Sequence, residues 1–514
     1  MERSFGFAHV FSDNMVLQRD AALPVWGWAD KGDRVRVEFC GQVREAAVVD
    51  GQWRVDFSPL AAGGPYTLTA SCGGRQIALG NILMGEVWLA GGQSNMDYTL
   101  LLTRDGYEEI PLADYPGIRH YAAPRIAFEQ QPGMLRADPE QPAWAVCTPQ
   151  AAPGFTAVGY HFAKNLHRAL GVPVGIINCN WGGTSASCWM SRERLQRGGD
   201  IRVYLDEYLQ LVSGQSPQAY AAEEAAYAAA VAVQQQAMAG VPFDPTDLDA
   251  YFASEAEHPY PWPPPMGLQC PLRPAGLYDT MLRKIVPYAI RGVIWYQGES
   301  DTVKAPLYRS LFTQMMDNWR EDWQAPRLPF LFVQLAAYAA DNDPDGESWA
   351  LLREQQLLVS QTDGSAAMAV AIDCGNRTNI HPLDKGPVGE RLALLARTQV
   401  YGDSVECFGP RPVAMRAQGG SVVLTFEHAG QGLAAKGGEL RGFALCGCDG
   451  IYHPAQGEID GNTVTVRSEA VPQPLAVRYG WANYTEANLY NSAGLPASPF
   501  RTDTPYDELK LDRA

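Results

Sequence analysis

The chain has 514 residues, which is enough for two or three domains, each with an ample hydrophobic core. Its hydrophobic fraction of 46% and charged fraction of 19% are those of a globular protein. A formal net charge of −17 argues against a nucleic-acid partner and disfavours an anionic membrane surface.

No run of about 18 apolar residues is present, so we expect no membrane span. Residues 1–10 lack the basic and apolar regions of a signal peptide, and the ten cysteines are scattered without a C-x-x-C pair. We therefore expect a cytoplasmic protein with reduced thiols, no metal site and no cofactor. The sequence leaves the oligomeric state open.

Residues 1–82 are predicted to form a small β-sandwich domain, because short alternating runs at 35–39, 53–57 and 66–69 are separated by turn signals. From 83 to 402 the pattern is α/β. Apolar runs at 174–179, 289–296, 330–334 and 368–372 are typical of buried parallel strands. They alternate with helical segments at 159–170, 307–319 and 388–401. After 403 short β-runs return, at 413–416, 422–426, 463–467 and 475–479, and predict a C-terminal β domain over 403–514.

Residues 200–275 are interpreted as an insertion in the α/β region. They contain an alanine- and glutamine-rich segment at 220–239, which predicts a solvated helix, and a proline cluster at 258–265, which must be extended. We expect a plain surface excursion over one edge rather than a lid.

The segment 86–97, E-V-W-L-A-G-G-Q-S-N-M-D, is typical of a short buried strand followed by a sharp glycine turn. Ser94 then lies at the carboxyl edge of the sheet, where ligands bind in open α/β folds. Backbone N–H groups at such a point can stabilise an oxyanion. Ser94 is therefore a candidate nucleophile, although a turn or helix cap explains the segment equally well. The segment does not match G-x-S-x-G.

Three further polar segments follow predicted strands. They are N-C-N-W-G-G-T-S-A-S-C-W at 178–189, G-V-I-W-Y-Q-G-E-S-D at 292–301, and A-I-D-C-G-N-R-T-N-I-H-P at 371–382. A serine needs a base to become a nucleophile at neutral pH, and histidine is suited to that role. Of the eight histidines, His381 alone follows a strand end in polar, glycine-rich surroundings, so we select it as the base.

Together, G-Q-S-N-M, W-G-G-T, W-Y-Q-G-E-S and I-H-P-x-x-K resemble the motifs of the SGNH hydrolases, specifically the sialate O-acetylesterase-like carbohydrate esterases. The resemblance extends to the flanking β regions at 10–19, 62–68 and 488–503, and the insertion is the main part without a match. It implies a three-layer α/β/α, flavodoxin-like hydrolase domain flanked by N- and C-terminal β domains. It also implies a serine esterase that removes acetyl groups from sugars.

Carried over to this sequence, the resemblance makes Ser94 the nucleophile and His381 the general base and then acid. The oxyanion donors would be the N–H of Ser94, the N–H of Gly183 (or Gly182) and the side-chain amide of Gln297. The remaining candidates are residues expected to contact the substrate: Gln93, Asn95, Glu299, Trp189 and Arg353.

One departure concerns the third catalytic residue. Many relatives have an aspartate two residues before the histidine, where this chain has Asn379. Asp373 is the nearest upstream carboxylate and could orient His381. A Ser-His dyad, with the imidazole held by a backbone carbonyl, is an equally good interpretation.

The implied substrate is an acetylated mono- or oligosaccharide, either 9-O-acetyl sialate or an acetylated hemicellulose oligosaccharide. Binding of sialate would require an arginine to pair with its carboxylate, and Arg353 is the candidate. Neutral sugars stack on aromatic rings, and Trp189, Trp295 and Tyr296 adjoin the motifs, although core packing is their default role. The alternative function is a non-catalytic carbohydrate-binding protein with a degenerate SGNH domain.

Overall fold

The computed structural model describes residues 5–30, 32–129, 143–340, 343–503 and 512–513. The chain divides into two compact units: Met1–Ile294 with Thr313–Leu328, and Trp295–Phe312 with Pro329–Ala514. Among the described residues, no helix combines the length and apolar character that crossing a bilayer requires. All ten cysteines are free thiols, and eight of them are buried.

The first unit begins with β-structure. Its opening strands are β1 (Phe5–Phe7), β2 (Val16–Gln18), β3 (Leu23–Ala29), β4 (Arg34–Phe39), β5 (Gln42–Ala47), β6 (Gln52–Phe57), β7 (Gly63–Cys72) and β8 (Arg75–Gly92). Strands β1, β3 and β6 form one sheet, while β4 pairs with β5 and β7, and β7 pairs with β8. In β4 and β6 every second residue is buried, as the alternating pattern predicts.

Strand β8 is the longest of the described strands and belongs to two pairings. Its first half is antiparallel to β7, and its second half is parallel to β11 (Val174–Asn180), with Val174 opposite Glu86 and Asn180 opposite Gly92. The strand therefore crosses residue 82, where the sequence suggested a domain boundary. It also runs through Gly91 and Gly92, although a short strand ending at these glycines was expected.

The rest of the first unit adds β9 (Tyr115–Ala122) and β10 (Ala145–Cys147) to these strands, in the order β10-β9-β11-β8. Strands β9 and β8 are both parallel to β11, whereas β10 is antiparallel to β9. The accompanying helices are α1 (Ser94–Asp97), α2 (Gly106–Glu109), α3 (Ala157–Leu170), α4 (Arg192–Arg197), α5 (Val203–Val212), α6 (Pro217–Ala239), α7 (Leu248–Glu257) and α8 (Gly276–Thr280). Only Tyr220 is buried in α6, which confirms the predicted solvated helix.

The division between the units falls within β12 (Gly292–Tyr296) and α9 (Tyr308–Asp322). The second unit continues with β13 (Phe330–Val333), α10 (Ser348–Thr362), β14 (Ala366–Ala369) and α11 (Gly386–Gln399). Strands β13 and β14 are parallel and fully buried. The predicted strand at 368–372 is thus displaced by two residues, because Ile372–Cys374 forms a 3₁₀ turn.

The C-terminal region of the second unit is β-structure, as predicted. Its strands are β15 (Arg411–Gln418), β16 (Ser421–Glu427), β17 (Leu433–Ala435), β18 (Phe443–Cys446), β19 (Tyr452–Pro454), β20 (Gln456–Asp460), β21 (Thr463–Arg467), β22 (Ala476–Tyr479), β23 (Leu489–Asn491), β24 (Phe500–Arg501) and β25 (Asp512–Arg513). They form sheets in the orders β20-β21-β16-β15-β25, β19-β18-β22-β24 and β17-β23. A cluster including Leu424, Phe443 and Val464 is their common core.

Candidate active site

Ser94 is the first residue of α1, directly after β8 and Gln93. The first backbone N–H groups that bond within this helix are those of Met96 and Asp97, which both donate to the carbonyl of Gln93. Thr156 also holds this turn, because its hydroxyl donates to the carbonyl of Met96 at 2.5 Å. The serine is thus held in a fixed turn at the carboxyl end of a parallel strand.

The W-G-G-T segment lies beside this turn. An added Cβ at Gly182 would be 3.5 Å from the Cβ of Ser94, so the glycine backbone approaches the serine closely. The N–H of Trp181 donates to the carbonyl of Gly92, and the hydroxyl of Thr184 donates to the carbonyl of Trp181 at 2.8 Å. Gly183 has a φ of +72°, a backbone conformation that favours glycine. The first unit therefore brings together the predicted serine and the predicted oxyanion glycines.

Gln93 and Asn95, which flank the serine, are both buried and keep no more than 3% of their surface exposed. Their side chains are positioned among neighbouring groups rather than displayed to solvent. Direct substrate contact by either residue stays a prediction.

An arginine that the sequence analysis missed lies at this site. Arg125 forms an ion pair with Asp97 of α1, and its guanidinium is 6.0 Å from the centroid of the Trp181 ring. About half of the Arg125 side chain is exposed. Arg125 lies well downstream of Ser94 in an irregular segment, so no motif or periodicity pointed to it.

The insertion contacts both the Ser94 turn and the W-G-G-T segment. The edge of the Trp262 ring fills the space that a side chain at Gly183 would need, with the nearest ring atom 2.0 Å from an added Cβ. On the other side, Phe252 of α7 stacks on Tyr98, with ring centroids 6.3 Å apart. Two side chains of the insertion, Phe252 and Trp262, therefore form a wall beside the Ser94 turn, while its helix α6 is a surface excursion as expected.

In the second unit, Gln297 follows β12 and is fully buried. Its side-chain nitrogen donates to a carboxylate oxygen of Asp301 at 2.6 Å, and its side-chain oxygen accepts from the hydroxyl of Tyr308 at 3.0 Å. These two bonds fix which end of the amide carries the N–H groups. Asp301, which is itself fully buried, is a positioning residue that the sequence analysis quoted within a motif without assigning it a role.

In the I-H-P-x-x-K segment, Lys385 is fully buried and His381 is half-buried. Burial lowers the pKa of His381 to about 4, and the positive charge of Lys385 contributes in the same direction. Burial also lowers the pKa of Lys385 to about 7, against the opposing effect of the Glu299 carboxylate. The Lys385 ammonium lies 5.4 Å from the centroid of the Tyr296 ring. His381 is therefore neutral at pH 7, which is the form a general base requires.

The asparagine that replaces the expected aspartate supports the backbone. The side-chain oxygen of Asn379 accepts the N–H of His381 at 2.8 Å. Asn376 makes equivalent bonds to the N–H groups of Thr378 and Asn379, both at 2.9 Å. The loop leading to the imidazole is thus a series of turns closed by asparagine side chains.

Asp373 is held by other partners. Arg391 donates to its two oxygens at 2.6 and 2.7 Å, and the hydroxyl of Tyr490 donates to it at 3.0 Å. Burial raises the pKa of Asp373, but the hydrogen bonds and charge of Arg391 outweigh this effect and hold the pKa below its usual range. The carboxylate is ionised and engaged by a bidentate arginine, which favours a structural role.

Two residues proposed as substrate contacts are buried. Arg353 has no exposed surface and donates to the carbonyls of Ala482 and Asn483 at 3.0 and 2.5 Å. Trp189 is also fully buried, and its ring N–H donates to the hydroxyl of Thr184 at 3.0 Å. Arg353 therefore supports the loop that contains Ala482 and Asn483, and Trp189 supports the W-G-G-T turn. Burial of both side chains disfavours direct contact with a sugar.

Comparisons with known proteins show which families and structures this chain resembles. A family model described as carbohydrate esterase, sialic acid-specific acetylesterase, matches residues 268–393. Sialate O-acetylesterases of Mus musculus and Rattus norvegicus are 26% and 27% identical to this chain, over 96% of this chain and 94% of each relative. The enzyme of the same name from Homo sapiens is 26% identical over 96% of this chain and 92% of its own length.

The solved structure of a carbohydrate acetylesterase from Xanthomonas citri is 35% identical in sequence. It superposes with a TM-score of 0.78 over 97% of this chain and 99% of that chain. The likeness therefore extends through the β regions and the insertion as well as the matched family segment. The chain belongs to the carbohydrate esterases of the sialate O-acetylesterase family, and it is a carboxylic ester hydrolase.

Proposed function

We propose that this enzyme removes O-acetyl groups from sugars through a covalent acetyl–Ser94 intermediate, on a three-layer SGNH hydrolase fold. The observation that carries the proposal is the close approach of the Gly182 backbone to Ser94 at the carboxyl end of β8. A hydroxyl and backbone N–H donors at one point are what attack on an ester carbonyl requires.

In the proposed reaction, neutral His381 takes the proton of the Ser94 hydroxyl as its oxygen attacks the acetyl carbonyl. The negative oxygen of the tetrahedral intermediate accepts from the N–H groups of Ser94 and Gly183 and from the amide of Gln297. The C–O bond to the sugar then breaks, and His381 gives its proton to the departing sugar oxygen. Water, activated by the same imidazole, attacks the acetyl-enzyme and releases acetate.

We favour a Ser-His dyad over a triad completed by Asp373. The bidentate pairing with Arg391 supports this choice, because the two oxygens of Asp373 are already engaged. The turns closed by Asn376 and Asn379 would hold the imidazole through its backbone instead.

The substrate classes under test are 9-O-acetyl sialate and acetylated xylan, mannan and xyloglucan oligosaccharides. The experiment incubates the full chain with each sugar and measures released acetate, with Ser94→Ala as the control. We expect release by the wild type and a loss of at least ~10⁴-fold in the variant, in line with losses on removal of serine nucleophiles. A wild type that binds sugars without releasing acetate would instead support the non-catalytic alternative.

A double variant tests whether Ser94 and His381 act as one unit. Residues that act together in a single step give strongly non-additive losses. We expect Ser94→Ala combined with His381→Ala to be no slower than Ser94→Ala alone. If the loss of activity in the double variant equalled the product of the two single losses, Ser94 and His381 would not act in the same step.

A further inference from the structure

Trp262 is an exposed aromatic side chain beside a proposed oxyanion donor. Its exposed fraction is 57%, yet one edge of the ring packs on the backbone of Gly183. The apolar face of a sugar pyranose ring can stack on such an exposed aromatic ring. Gly183 adjoins Gly182, whose backbone approaches Ser94, so the Trp262 ring lies close to the proposed reacting point.

The segment that carries the ring is held by helix α6 at one end and by Gln215, which precedes that helix, at the other. Gln234 donates to the carbonyl of His258 at 3.2 Å, and Gln215 donates to the carbonyl of Met266 at 3.1 Å, so both ends of the proline cluster are attached. The hydroxyls of Tyr227 and Tyr260 meet at 3.5 Å between them. Prolines add stiffness to the segment, so little conformational entropy is lost when a ligand stacks on it.

The carboxylates around the Ser94 turn disfavour an anionic ligand. Asp97 lies in α1 itself, and the charge of Glu255, an exposed residue of α7, acts on Tyr98 at the end of that turn. Arg125 is already paired with Asp97, so a ligand carboxylate would compete with an existing ion pair. These groups favour an uncharged sugar at this wall over sialate.

On these observations, we propose that Trp262 is a substrate-binding and specificity-determining residue that stacks on a neutral pyranose ring of an acetylated oligosaccharide. This inference rests on the proposed function, since it places the sugar next to the Ser94 turn. The insertion would then select oligosaccharides of neutral sugars.

Binding to an inactive enzyme tests the inference apart from catalysis. Titration calorimetry would measure the affinity of the full chain carrying Ser94→Ala for two probes, acetylated xylotetraose and 9-O-acetyl-N-acetylneuraminic acid. The same measurement would be made after adding Trp262→Ala, Trp262→Phe or Leu268→Ala. Leu268 is a matched control, because it is an exposed apolar residue of the same insertion. Thermal unfolding would check that each variant is folded.

We expect acetylated xylotetraose to bind more tightly than the sialate. Trp262→Ala should weaken its binding at least tenfold, Trp262→Phe no more than threefold, and Leu268→Ala less than twofold. Equal binding of xylotetraose with and without the Trp262 ring would overturn the inference, as would tighter binding of the sialate. Acetate release by Ser94→Ala would instead refute the proposed function, and an acetate assay on the same preparations distinguishes that failure from a loss of binding.

Discussion

At the scale of single residues, the site depends on burial as much as on residue type. His381 and Lys385 are neighbouring basic groups, and desolvation by burial lowers the pKa of both. Neutral histidine is the active form of a base, so we expect the enzyme to keep its activity below neutral pH. The sequence pointed to His381 but could not supply this shift, because burial depends on the folded structure.

The pH profile of kcat/KM reports the pKa of the free-enzyme base. We expect activity to be flat near neutrality and to fall on the acid side with an apparent pKa of about 4, because protonation of His381 removes the base. Lys385→Met removes a charge that lowers this pKa, so the acid limb should move to higher pH. Circular dichroism at each pH would confirm folding. An unshifted limb in the variant, or a wild-type limb near the ordinary histidine pKa of about 6.5, would contradict this account.

Gln297 is held with its N–H groups at a defined end by Asp301 and Tyr308. Loss of one oxyanion donor typically reduces kcat by ~10²–10³-fold, and we expect that loss in Gln297→Ala, with KM little changed. Asp301→Asn keeps an oxygen that can accept from the amide, so its kcat should fall less, by about tenfold. Steady-state kinetics on an aryl acetate would measure both. Full turnover in Gln297→Ala would remove the amide from the mechanism.

Asp373 offers a test of dyad against triad. With its oxygens bound to Arg391, Asp373→Asn should lower the free energy of unfolding by about 2–4 kcal/mol, because a buried guanidinium loses its counter-charge. The kcat of the folded variant should stay within tenfold of wild type. Urea denaturation and kinetics would be run on the same preparation. A kcat loss of several orders of magnitude would establish Asp373 as the residue that orients His381.

At the scale of elements, the strands predicted from apolar runs are present, because burial on both faces leaves a continuous hydrophobic signal. The length of β8 was missed, since the predicted domain boundary at residue 82 falls inside it, next to Asn81, which has a φ of +53°. The backbone contacts of Arg353 were missed for a related reason. Its partners lie about 130 residues away, and no local pattern records such a contact.

The middle of β8 is secured by a buried carboxylate. Glu86 has no exposed side-chain surface and accepts from Gln18, Arg19 and Arg291. Glu86→Gln leaves two guanidinium groups near an uncharged amide, so we expect a loss of about 3 kcal/mol in the free energy of unfolding. Asp56→Asn is the control, since Asp56 is about half exposed in its pair with Arg54 and should cost less than about 1 kcal/mol. Equal losses in the two variants would contradict the buried network.

At the scale of the whole molecule, the family could be recognised from four motifs, whereas the role of the insertion could not. Motifs record chemistry that recurs at fixed spacing. The contacts of Trp262 with Gly183 and of Phe252 with Tyr98 join segments roughly 80 and 150 residues apart and leave no such spacing. The second unit is likewise held by long-range pairs, such as the two bonds from Arg501 to Glu354.

The shared strand β8 has a consequence for any shortened form of this enzyme. Deleting residues 1–74 would remove β2 and β7 and leave unsatisfied backbone groups along residues 75–85, in the same strand that leads to the serine turn. Unpaired strand edges form hydrogen bonds with strands of other chains. The truncated protein should therefore aggregate rather than fold as a smaller esterase. The N-terminal region is therefore no detachable accessory, and variants of this protein are better made by substitution than by trimming.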